Sequence, residues 1–508
     1  MIAVTTFAGR TVAVFGLARS GLAAARSLRA GGAQVACWDD GERGRAAASA
    51  EGLPLVDLRE AVWSTFAALV LAPGVPLTHP EPHWTVKRAQ AAGVEVIGDT
   101  ELFFRELATL PANSRPKVVG ITGTNGKSTT TALTAHLLRH AGKRVAMGGN
   151  IGEAVLGLAA FSEVDVYVLE LSSYQIDLTP GVACDVGILL NLSPDHLERH
   201  GDMAGYAAVK ETLISKAKTA IVGLDDNWCR DIALRRPSPT ITDPSRGPTI
   251  GIHSRTDSTR PQSAISKPAL DIFGVAGDLI VAEDGIFISG PRLTKLSLKD
   301  APALKGPHNA QNAAAACVSV QELKLKIPLE KLQSGLNGFG GLAHRMELLG
   351  RINGPDGAIA FVNDSKATNA DSAAKALTSF GNGLFWIAGG LAKEGGIESL
   401  VAAPYFNLVF RTYLIGDAQG DFAATLENHN KPYKKCESLV AALKQIMTDM
   451  ADEYEQNRAM ANLPHCVLLS PACASFDQFK DFEDRGDQFR KLVNALPGFV
   501  PFGGKAGK

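Results

Sequence analysis

The sequence predicts an α/β protein of three domains, each built on a mainly parallel sheet. In three segments an apolar strand pattern leads into a glycine-containing turn and then into a helical pattern, which is typical of the units that form parallel sheets. These segments begin near residues 11, 118 and 359. The length of 508 residues agrees with this organisation, because a domain averages roughly 150 residues.

Composition and charge exclude several classes of protein. Hydrophobic residues make up 45% of the chain and charged residues 20%, which supplies several cores and is too little charge for a mostly disordered protein. The 51 Lys and Arg residues balance 52 Asp and Glu residues, so the formal net charge is -1. We therefore expect neither a nucleic acid nor a membrane as a partner, and any bound anion must be held by a local site.

The cysteines and the apolar segments favour a cytoplasmic protein. The seven cysteines show no CxxC or CxxxC spacing, so the sequence indicates neither a zinc site nor a disulfide framework, and a reducing compartment suits them best. The apolar run at 12–17 is too short for a signal peptide. The longest uncharged apolar stretch, 383–392, has ten residues, whereas a membrane-spanning helix needs about 20.

The first domain, residues 1–112, is predicted to be Rossmann-like. A strand at 12–15 leads into a G-x-A-x-x-G turn at 16–21, a helix follows to residue 29, and a second strand at 34–38 ends at Asp39. This pattern resembles a dinucleotide-binding turn in which Ala18 replaces the second glycine, so its methyl group stands where a pyrophosphate would pass. We expect a different nucleotide there, or a purely structural turn. A third strand, 67–71, stops before Pro73 and Gly74.

The second domain, residues 113–340, carries the sharpest motif in the chain. After a polar linker at 111–116, a strand at 118–121 meets the sequence GTNGKS at 123–128, and a helix follows at 129–140. Glycines let the backbone wrap a phosphate, the helix N-terminus attracts it, Lys127 adds a charge, and the Ser128 hydroxyl can reach Mg²⁺. The sequence therefore predicts an ATP site of the P-loop type. The strict pattern would place glycine at position 121, where Ile121 stands, so a chance glycine turn is the alternative.

Candidate magnesium ligands follow two later strands of the same domain. A strand at 165–169 stops at Glu170, and a strand at 186–190 leads through Asn191 to Asp195 and His196. Such a residue taken alone is more often a helix cap or a solvated group. Because parallel strands end at one edge of a sheet, we expect both groups to lie near the phosphate loop, where Mg²⁺ needs oxygen ligands.

The remaining elements are less distinctive. The polar stretch 235–268 is predicted to be a long loop or insertion without chemistry, and residues 279–281 and 286–289 are predicted to form a hairpin. The third domain, residues 341–508, should contain strands at 359–362, 384–388, 412–415 and 467–469.

Six ordered motifs then resemble the Mur ligase family. They are TGTNGKS at 122–128, GNIG at 149–152, ELSS at 170–173, NLSPDH at 191–196, GPHNAQN at 306–312 and HRME at 344–347. The family's phosphate loop tolerates the offset glycine. The resemblance implies three domains with a C-terminal Rossmann-like α/β domain. It also implies an ATP-dependent carboxylate–amine ligase of peptidoglycan precursor synthesis, and hence of cell wall biogenesis, cell shape and cell division.

Two further motifs look like those of the D-glutamate-adding branch of the family. They are NDSKATN at 363–369 and SPACASFDQF at 470–479. This similarity implies UDP-N-acetylmuramoyl-L-alanine, D-glutamate and ATP as substrates, an acyl-phosphate intermediate, ADP and phosphate as products, and a monomer. The similarity covers nearly the whole chain except the stretch 235–268.

The resemblance also implies roles for individual residues. The ATP phosphates would be held by Gly123, Thr124, Asn125, Gly126, Lys127, Ser128 and Thr129, and the rest of the nucleotide by Asn309, Asn312, Arg345 and Asp364. Two magnesium ions would be held by Ser128, Glu170, His196 and a carbamylated Lys210. The catalytic residues would be Lys127, Glu170, His196 and Lys210. The sugar nucleotide would contact Arg19, Ser20, Asp39, Pro73, Gly74 and Asn150, and D-glutamate would contact Thr368, Lys393, Ser475, Phe476 and Phe482.

Three alternatives remain open from the sequence. Another Mur-type or folylpolyglutamate-type ligase would use a different amino acid. A P-loop switch or kinase would turn over ATP without any amino acid, and it would leave Thr368, Lys393 and Ser475 without a role. A nicotinamide-dependent dehydrogenase built on residues 16–21 would have no use for Lys127.

Overall fold

A computed structural model shows the chain as two compact units, Met1–Phe339 and Gly340–Lys508. The structure describes residues 1–236, 248–254, 279–282, 285–288, 294–304, 307–354, 357–380, 383–392, 395–456 and 465–502. Two sheets lie in the first unit and one in the second. The α/β class with mainly parallel sheets is confirmed, and the domain ranges 1–112, 113–340 and 341–508 stay predictions.

The first sheet is parallel, with strand order β2-β1-β3-β4. Its strands are β1 (Thr11–Phe15), β2 (Gln34–Trp38), β3 (Ala68–Leu71) and β4 (Glu95–Ile97). Its helices are α1 (Arg19–Ala30), α2 (Glu42–Ala50), α3 (Trp84–Ala91) and α4 (Asp99–Thr109). The predicted strands at 12–15, 34–38 and 67–71 are confirmed. Both faces of β1 and β3 are covered, which explains their unbroken apolar sequences.

The second sheet has nine strands in the order β13-β12-β11-β10-β9-β8-β5-β7-β6. They are β5 (Lys117–Thr122), β6 (Val145–Gly149), β7 (Val166–Glu170), β8 (Val186–Leu189), β9 (Thr219–Gly223), β10 (Thr249–Ser254), β11 (Leu279–Ala282), β12 (Gly285–Ile288) and β13 (Thr294–Ser297). Strand β5 lies between β7 and β8 and runs parallel to both. Strands β11 and β12 pair antiparallel, so the predicted hairpin is confirmed.

Helices cover this second sheet along its length. They are α5 (Lys127–His140), α6 (Ser173–Asp177), α7 (Leu197–His200), α8 (Met203–Lys216), α9 (Asn227–Arg235), α10 (Pro307–Glu322) and α11 (Leu329–Asn337). Helix α5 packs against α10 and α11. Because β5, β7 and β8 run parallel, their C-terminal ends lie at one edge of the sheet. The glycine loop lies at this edge, between β5 and α5.

One prediction is wrong. Within the stretch 235–268, residues 249–254 do not form a loop but the parallel strand β10, between β9 and β11. Ile250 and Ile252 alternate with Thr249, Gly251 and His253, and both isoleucines lie in the core with residues of α5 and α10. The polar composition of the surrounding segment concealed this short apolar alternation. Residues 237–247 and 255–268 lie outside the described part of the chain.

The second unit contains a seven-stranded sheet in the order β18-β17-β16-β19-β15-β14-β20. Its strands are β14 (Glu347–Gly354), β15 (Gly357–Asn363), β16 (Leu384–Gly389), β17 (Val409–Ile415), β18 (Tyr433–Glu437), β19 (His465–Leu469) and β20 (Phe499–Pro501). Its helices are α12 (Ala370–Leu377), α13 (Glu398–Val401), α14 (Gln419–Asn428), α15 (Leu439–Gln456) and α16 (Phe482–Asn494). The four predicted strands are confirmed, each within a longer strand.

Two further observations concern the whole described chain. Among the described residues, no helix is both long and apolar enough to cross a bilayer. All seven cysteines are buried and free, and burial raises the pKa of the thiols, for example that of Cys317 to about 12. These thiols are therefore protonated and unreactive near neutral pH.

The correction at β10 generates a stability prediction. Ile252 is fully buried in the core that supports α5, so we expect Ile252→Ala to lower the free energy of unfolding of the first unit by about 2–5 kcal/mol. The matched control is Leu234→Ala, because Leu234 is 51% exposed and should change stability by less than about 0.5 kcal/mol. Urea denaturation measures both; equal effects would contradict the placement of β10.

Candidate functional site

The glycine loop between β5 and α5 needs its glycines for different reasons. Gly126 precedes the first residue of α5 at φ +81°, and a Cβ there would lie 2.3 Å from Asn312 Oδ1. Gly123 has φ +146°, and a Cβ there would lie 3.1 Å from the Cβ of Leu190. Both positions disfavour a side chain, and the N–H groups of the first turn of α5 have no acceptor within the helix, so they can bind an anion.

The segment after β8 holds this loop in place. The Asn191 side chain accepts a hydrogen bond from the Asn125 N–H at 2.8 Å and donates one to the Asn125 carbonyl at 3.2 Å. The Thr124 N–H donates to the Asn191 carbonyl at 2.9 Å. Asn191 is therefore part of the loop's support, although it was not among the predicted site residues. Its place in the motif NLSPDH was the available signal.

Two lysines converge on the same loop. The Lys127 ammonium donates to the carbonyls of Gly123 and Thr124, each at 2.8 Å. Lys210, in α8, donates to Thr122 Oγ1 and to the Gly123 carbonyl, each at 3.0 Å. Burial, with a smaller contribution from the positive charge of Lys127, lowers the pKa of Lys210 to about 7. The structure thus brings Lys127 and Lys210 together, and an uncharged Lys210 amine is readily populated near neutral pH.

Glu170 has the environment of a cation ligand. It ends β7 next to the loop and is only 1% exposed. Its Oε1 accepts a hydrogen bond from Asn150 Nδ2 at 2.9 Å, whereas its Oε2 is buried and has no hydrogen-bond partner among the described residues. A buried carboxylate oxygen without a donor fits a bound Mg²⁺. Asn150, predicted as a substrate contact, therefore also positions Glu170.

His196 lies on the other side of the loop, after β8. Its backbone is left-handed, at φ +53°. Its Nδ1 lies 2.9 Å from the Tyr174 hydroxyl, and its Nε2 lies 3.5 Å from Asp195 Oδ2. In the described part of the chain, no cluster of three or more His, Cys, Asp or Glu side chains has the spacing of a metal site.

Helix α10 brings a third set of predicted residues to the loop. Asn312 is buried and lies against Gly126, and its Nδ2 is 3.4 Å from Asn309 Oδ1. The next side chain, Gln311, donates to Asp225 Oδ2 at 3.1 Å. Both predicted asparagines thus lie on one face of α10 beside the phosphate loop, where their amides can contact a nucleotide.

The G-x-A-x-x-G turn of the first sheet is tightly packed. A Cβ on Gly21 would lie 1.8 Å from the Gly16 carbonyl oxygen, so only glycine allows α1 to pack there. The Asp39 carboxylate accepts hydrogen bonds from the N–H groups of Leu17 at 2.5 Å and Gly41 at 2.7 Å. Ser20 lies in the first turn of α1, next to Arg19.

The other predicted sugar-nucleotide residues lie where the first two sheets meet. Arg19 donates to the carbonyl of Gly152, and at 3.3 Å to that of Asn150. The carbonyls of Pro73 and Gly74 accept hydrogen bonds from Arg199. Arg199 therefore holds the loop after β3 by hydrogen bonds, and Arg19 holds the loop after β6.

In the second unit, Asp364 is buried at the end of β15. Its carboxylate accepts hydrogen bonds from Ser470 Oγ at 2.8 Å and from the Met346 N–H at 3.1 Å. Burial outweighs these bonds and raises the pKa of Asp364 to about 7. Arg345 directly precedes Met346, so the hydrogen bond to Met346 holds the HRME segment on the end of β15.

The remaining predicted residues of the second unit lie after β15 or after β19. Ser475 is buried, and Phe476 is 71% exposed. The Lys366 ammonium lies 4.8 Å from the centroid of the Phe482 ring, and the Thr368 N–H donates to the Lys366 carbonyl at 2.8 Å. Lys366 was not singled out in the sequence, although it belongs to the NDSKATN motif. Lys393 lies outside the described residues.

A buried arginine holds the loop after β19 together. Arg485 is fully buried; it donates to Ser365 Oγ at 3.0 Å, the Ser365 carbonyl at 2.8 Å and the Cys473 carbonyl at 3.1 Å. It therefore joins the end of β15 to the segment that leads to Ser475. This residue too was missed, because its sequence position in a polar helix resembles that of a solvated arginine.

The chain is similar in sequence to known proteins. Residues 121–320 match the model of the Mur ligase middle domain. The chain is 49% identical over 500 residues to a UDP-N-acetylmuramoylalanine--D-glutamate ligase of a Caulobacter species, with 98% of each chain covered. It is 48% identical over 508 residues to the enzyme of the same name from Mesorhizobium japonicum, with 99% of this chain and 100% of the relative covered.

Two solved structures share the fold. A UDP-N-acetylmuramate-alanine ligase from Thermotoga maritima is 17% identical with a TM-score of 0.50, over 96% of this chain and 99% of that one. A UDP-N-acetylmuramoyl-L-alanyl-D-glutamate--2,6-diaminopimelate ligase is 16% identical with a TM-score of 0.53, over 97% of this chain and 94% of that one.

The glycine loop on a parallel sheet, with lysine and a buried carboxylate beside it, defines a P-loop nucleotide-binding enzyme. The chain belongs to the Mur ligase family, as the six motifs predicted. It is therefore an ATP-dependent ligase that forms amide bonds.

The packing of Asn312 against the loop generates a prediction about nucleotide binding. Gly126→Ala would force Asn312 aside, so we expect ADP affinity to fall by at least about 10-fold, since the backbone donors of the loop would shift. The matched control is Gly142→Ala, because Gly142 also has a positive φ, of +80°, but has no atom within 4 Å of its Cβ position. Isothermal titration calorimetry with ADP measures both. Equal affinities in the two variants would contradict the proposed packing.

Proposed function

We propose that the chain joins D-glutamate to UDP-N-acetylmuramoyl-L-alanine, with ATP converted to ADP and phosphate. The observation that carries this proposal is the 49% identity over nearly the full length to an enzyme named for that reaction. The site fits the first half of the reaction, because the phosphate loop, Lys127 and Glu170 lie together at one sheet edge. The proposal also places the enzyme in the cytoplasm and treats it as a monomer.

The chemistry begins with activation of a carboxylate. Forming an amide from a carboxylate and an amine in water is unfavourable, so the L-alanine carboxylate first attacks the γ-phosphorus of ATP, and ADP leaves. The amine of D-glutamate then attacks the carbonyl carbon of the acyl phosphate. The tetrahedral intermediate loses phosphate, and the nitrogen loses a proton, which gives the amide. Catalysis of the first step is mainly positioning and charge neutralisation.

The residues of the first unit supply that neutralisation. In this proposal the ammonium of Lys127 exchanges the carbonyls of Gly123 and Thr124 for the β- and γ-phosphates, and the N–H groups of the first turn of α5 bind phosphate oxygens. Ser128, Glu170 and His196 would hold magnesium. When bound, Mg²⁺ neutralises phosphate charge against which the carboxylate must approach. Asn309 and Asn312 would hold the nucleoside side of ATP.

The second unit supplies the residues for D-glutamate. A dicarboxylate needs a cation and hydroxyl or backbone donors. We assign these roles to Lys366, Thr368 and Ser475, with Phe482 packed under the Lys366 ammonium. The predicted amino-acid site also includes Lys393 and Phe476. The predicted nucleotide contacts of this unit are Arg345 and Asp364.

A phosphate-release assay tests the proposal. We expect release to require ATP, Mg²⁺, UDP-N-acetylmuramoyl-L-alanine and D-glutamate together, with the amide product confirmed by mass spectrometry. L-Alanine, a diamino acid, or glutamate with a folate substrate should not replace D-glutamate. Turnover with one of these instead would indicate a different ligase of the family, and ATP hydrolysis independent of any amino acid would indicate a switch or kinase.

The same assay tests Lys127. We expect Lys127→Ala to lower turnover by at least roughly 10²-fold, the scale for the loss of one preorganised contact to the developing charge. Lys87→Ala is the control, because the Lys87 side chain is 53% exposed on α3 and pairs with the exposed Glu81. Near-normal turnover of Lys127→Ala would contradict the assignment.

We further propose that Lys210 is carbamylated. CO₂ would add to the buried Nζ beside Thr122, forming an N–C bond and releasing a proton, so that an anionic carbamate would replace a cation near Glu170 and Ser128. Carbon-13 NMR with labelled bicarbonate should show a carbamate resonance in the wild-type protein. The resonance should disappear in Lys210→Arg and remain in Lys117→Arg, whose lysine pairs with Asp185 at the opposite edge of the sheet. No carbamate resonance in the active wild-type enzyme would exclude this part of the proposal.

A further inference from the structure

Arg199 makes contacts that the proposed reaction does not yet explain. Its guanidinium donates to the carbonyls of three consecutive residues: Gly74 at 2.9 Å, Val75 at 2.9 Å and Pro73 at 3.3 Å. It also lies 4.4 Å from the centroid of the Tyr174 ring. A planar guanidinium can donate in several directions while it stacks on an aromatic face, and lysine cannot reproduce this geometry.

Tyr174 extends these contacts to His196. The Tyr174 hydroxyl lies 2.9 Å from His196 Nδ1 and 3.5 Å from Glu198 Oε1. Nε2, the other ring nitrogen of His196, faces the Asp195 carboxylate. The orientation of the His196 ring thus depends on Tyr174, and the position of the Tyr174 ring depends on Arg199.

The close approach of α7 to the loop after β3 has a second support. Gly201, at φ +81°, follows α7, and a Cβ there would lie 3.3 Å from the ring of His79. A Cβ at this distance would require the exposed ring of His79 to shift, so α7 and the loop after β3 also approach each other at this position.

Hydrogen bonds to three consecutive carbonyls determine the orientation of the peptide groups. In a trans peptide the C=O and the next N–H point in opposite directions. Because the Pro73 carbonyl points at Arg199, the Gly74 N–H points away from it. The Gly74 N–H is thus held in one orientation, and Gly74 has no side chain to cover it. It is therefore a suitable donor to a phosphate oxygen of a sugar nucleotide.

We propose that Arg199 is a positioning residue that holds residues 73–75 in the conformation that binds the sugar nucleotide, and that through Tyr174 it also holds the His196 ring in place. This inference rests on the proposed function, which assigns Pro73 and Gly74 to the sugar nucleotide. It gives Arg199 and Tyr174 distinct effects. Loss of Arg199 should affect substrate affinity, whereas loss of the Tyr174 hydroxyl should affect turnover.

Calorimetry without ATP or metal measures the affinities, and the phosphate-release assay measures kcat; together they separate these effects. We expect Arg199→Ala to weaken binding of UDP-N-acetylmuramoyl-L-alanine by at least about 10-fold, since charged hydrogen bonds are among the stronger ones. Arg199→Lys should lie between this variant and wild type, because an ammonium can still donate to one or two of the carbonyls. ADP affinity should be unchanged in both. Tyr174→Phe keeps the ring under the guanidinium, so its affinity for the sugar nucleotide should be unchanged and its kcat lower.

The matched control is Arg115→Ala. Arg115 also donates to backbone carbonyls, those of Leu110 at 2.7 Å and Ala108 at 2.5 Å, but it precedes the amino end of β5. We expect no change in either affinity. Should Arg199→Ala fail to fold, the lysine and Tyr174→Phe variants carry the test.

Three outcomes would overturn the inference: unchanged sugar-nucleotide affinity in Arg199→Ala, an equal loss of sugar-nucleotide and ADP affinity, which indicates a general structural role, or an unchanged kcat in Tyr174→Phe. A wild-type protein that does not bind the sugar nucleotide at all would instead contradict the proposed function.

Discussion

The binding of a polyanion by a protein with almost no net charge is the constraint on which this structure depends. The formal net charge of -1 gives no general attraction for a triphosphate. The attraction must come from a few N–H groups and lysines brought to one point. The lysines beside the loop and the N–H groups of the first turn of α5 provide them, and Gly123 and Gly126 allow the chain to turn tightly between β5 and α5. Asn191 then fixes the loop from the neighbouring strand end, so little reorganisation is needed when phosphate binds.

Charged groups of both signs lie around this loop, and some of them are buried. Lys127 and Lys210 are held by the same backbone carbonyl, that of Gly123, and the buried Glu170 lies at the end of the adjacent strand. Burial without full pairing is costly for a charged group, which explains the lowered pKa of Lys210. In the proposed reaction a magnesium nucleotide would place anionic oxygens beside the lysines and a cation beside the carboxylate.

The sequence predicted the loops that bind phosphate better than the side chains that support them. The motif GTNGKS depends on glycine and on local order along the chain, so its conformation can be inferred from neighbouring residues. Asn191, Arg199 and Arg485 contact backbone groups far away in the sequence, and the neighbouring residues do not reveal these partners. Asn191 and Lys366 lie in predicted motifs, but a motif does not say which groups their side chains contact. Strand β10 was missed for a related reason. Its two isoleucines become buried only because β10 pairs with β9 and β11.

By itself the sequence determined the α/β class, the phosphate loop, the family and most of the strands, because periodicity, glycine position and motif order are local properties of the chain. Only the tertiary structure decided that Asn150 supports Glu170, that Lys210 is buried against the loop, and that Arg199 joins residues 73–75 to Tyr174. The physical reason is that burial and hydrogen-bond partners depend on which strand ends become neighbours in the folded sheet. That arrangement is set by packing across the whole unit.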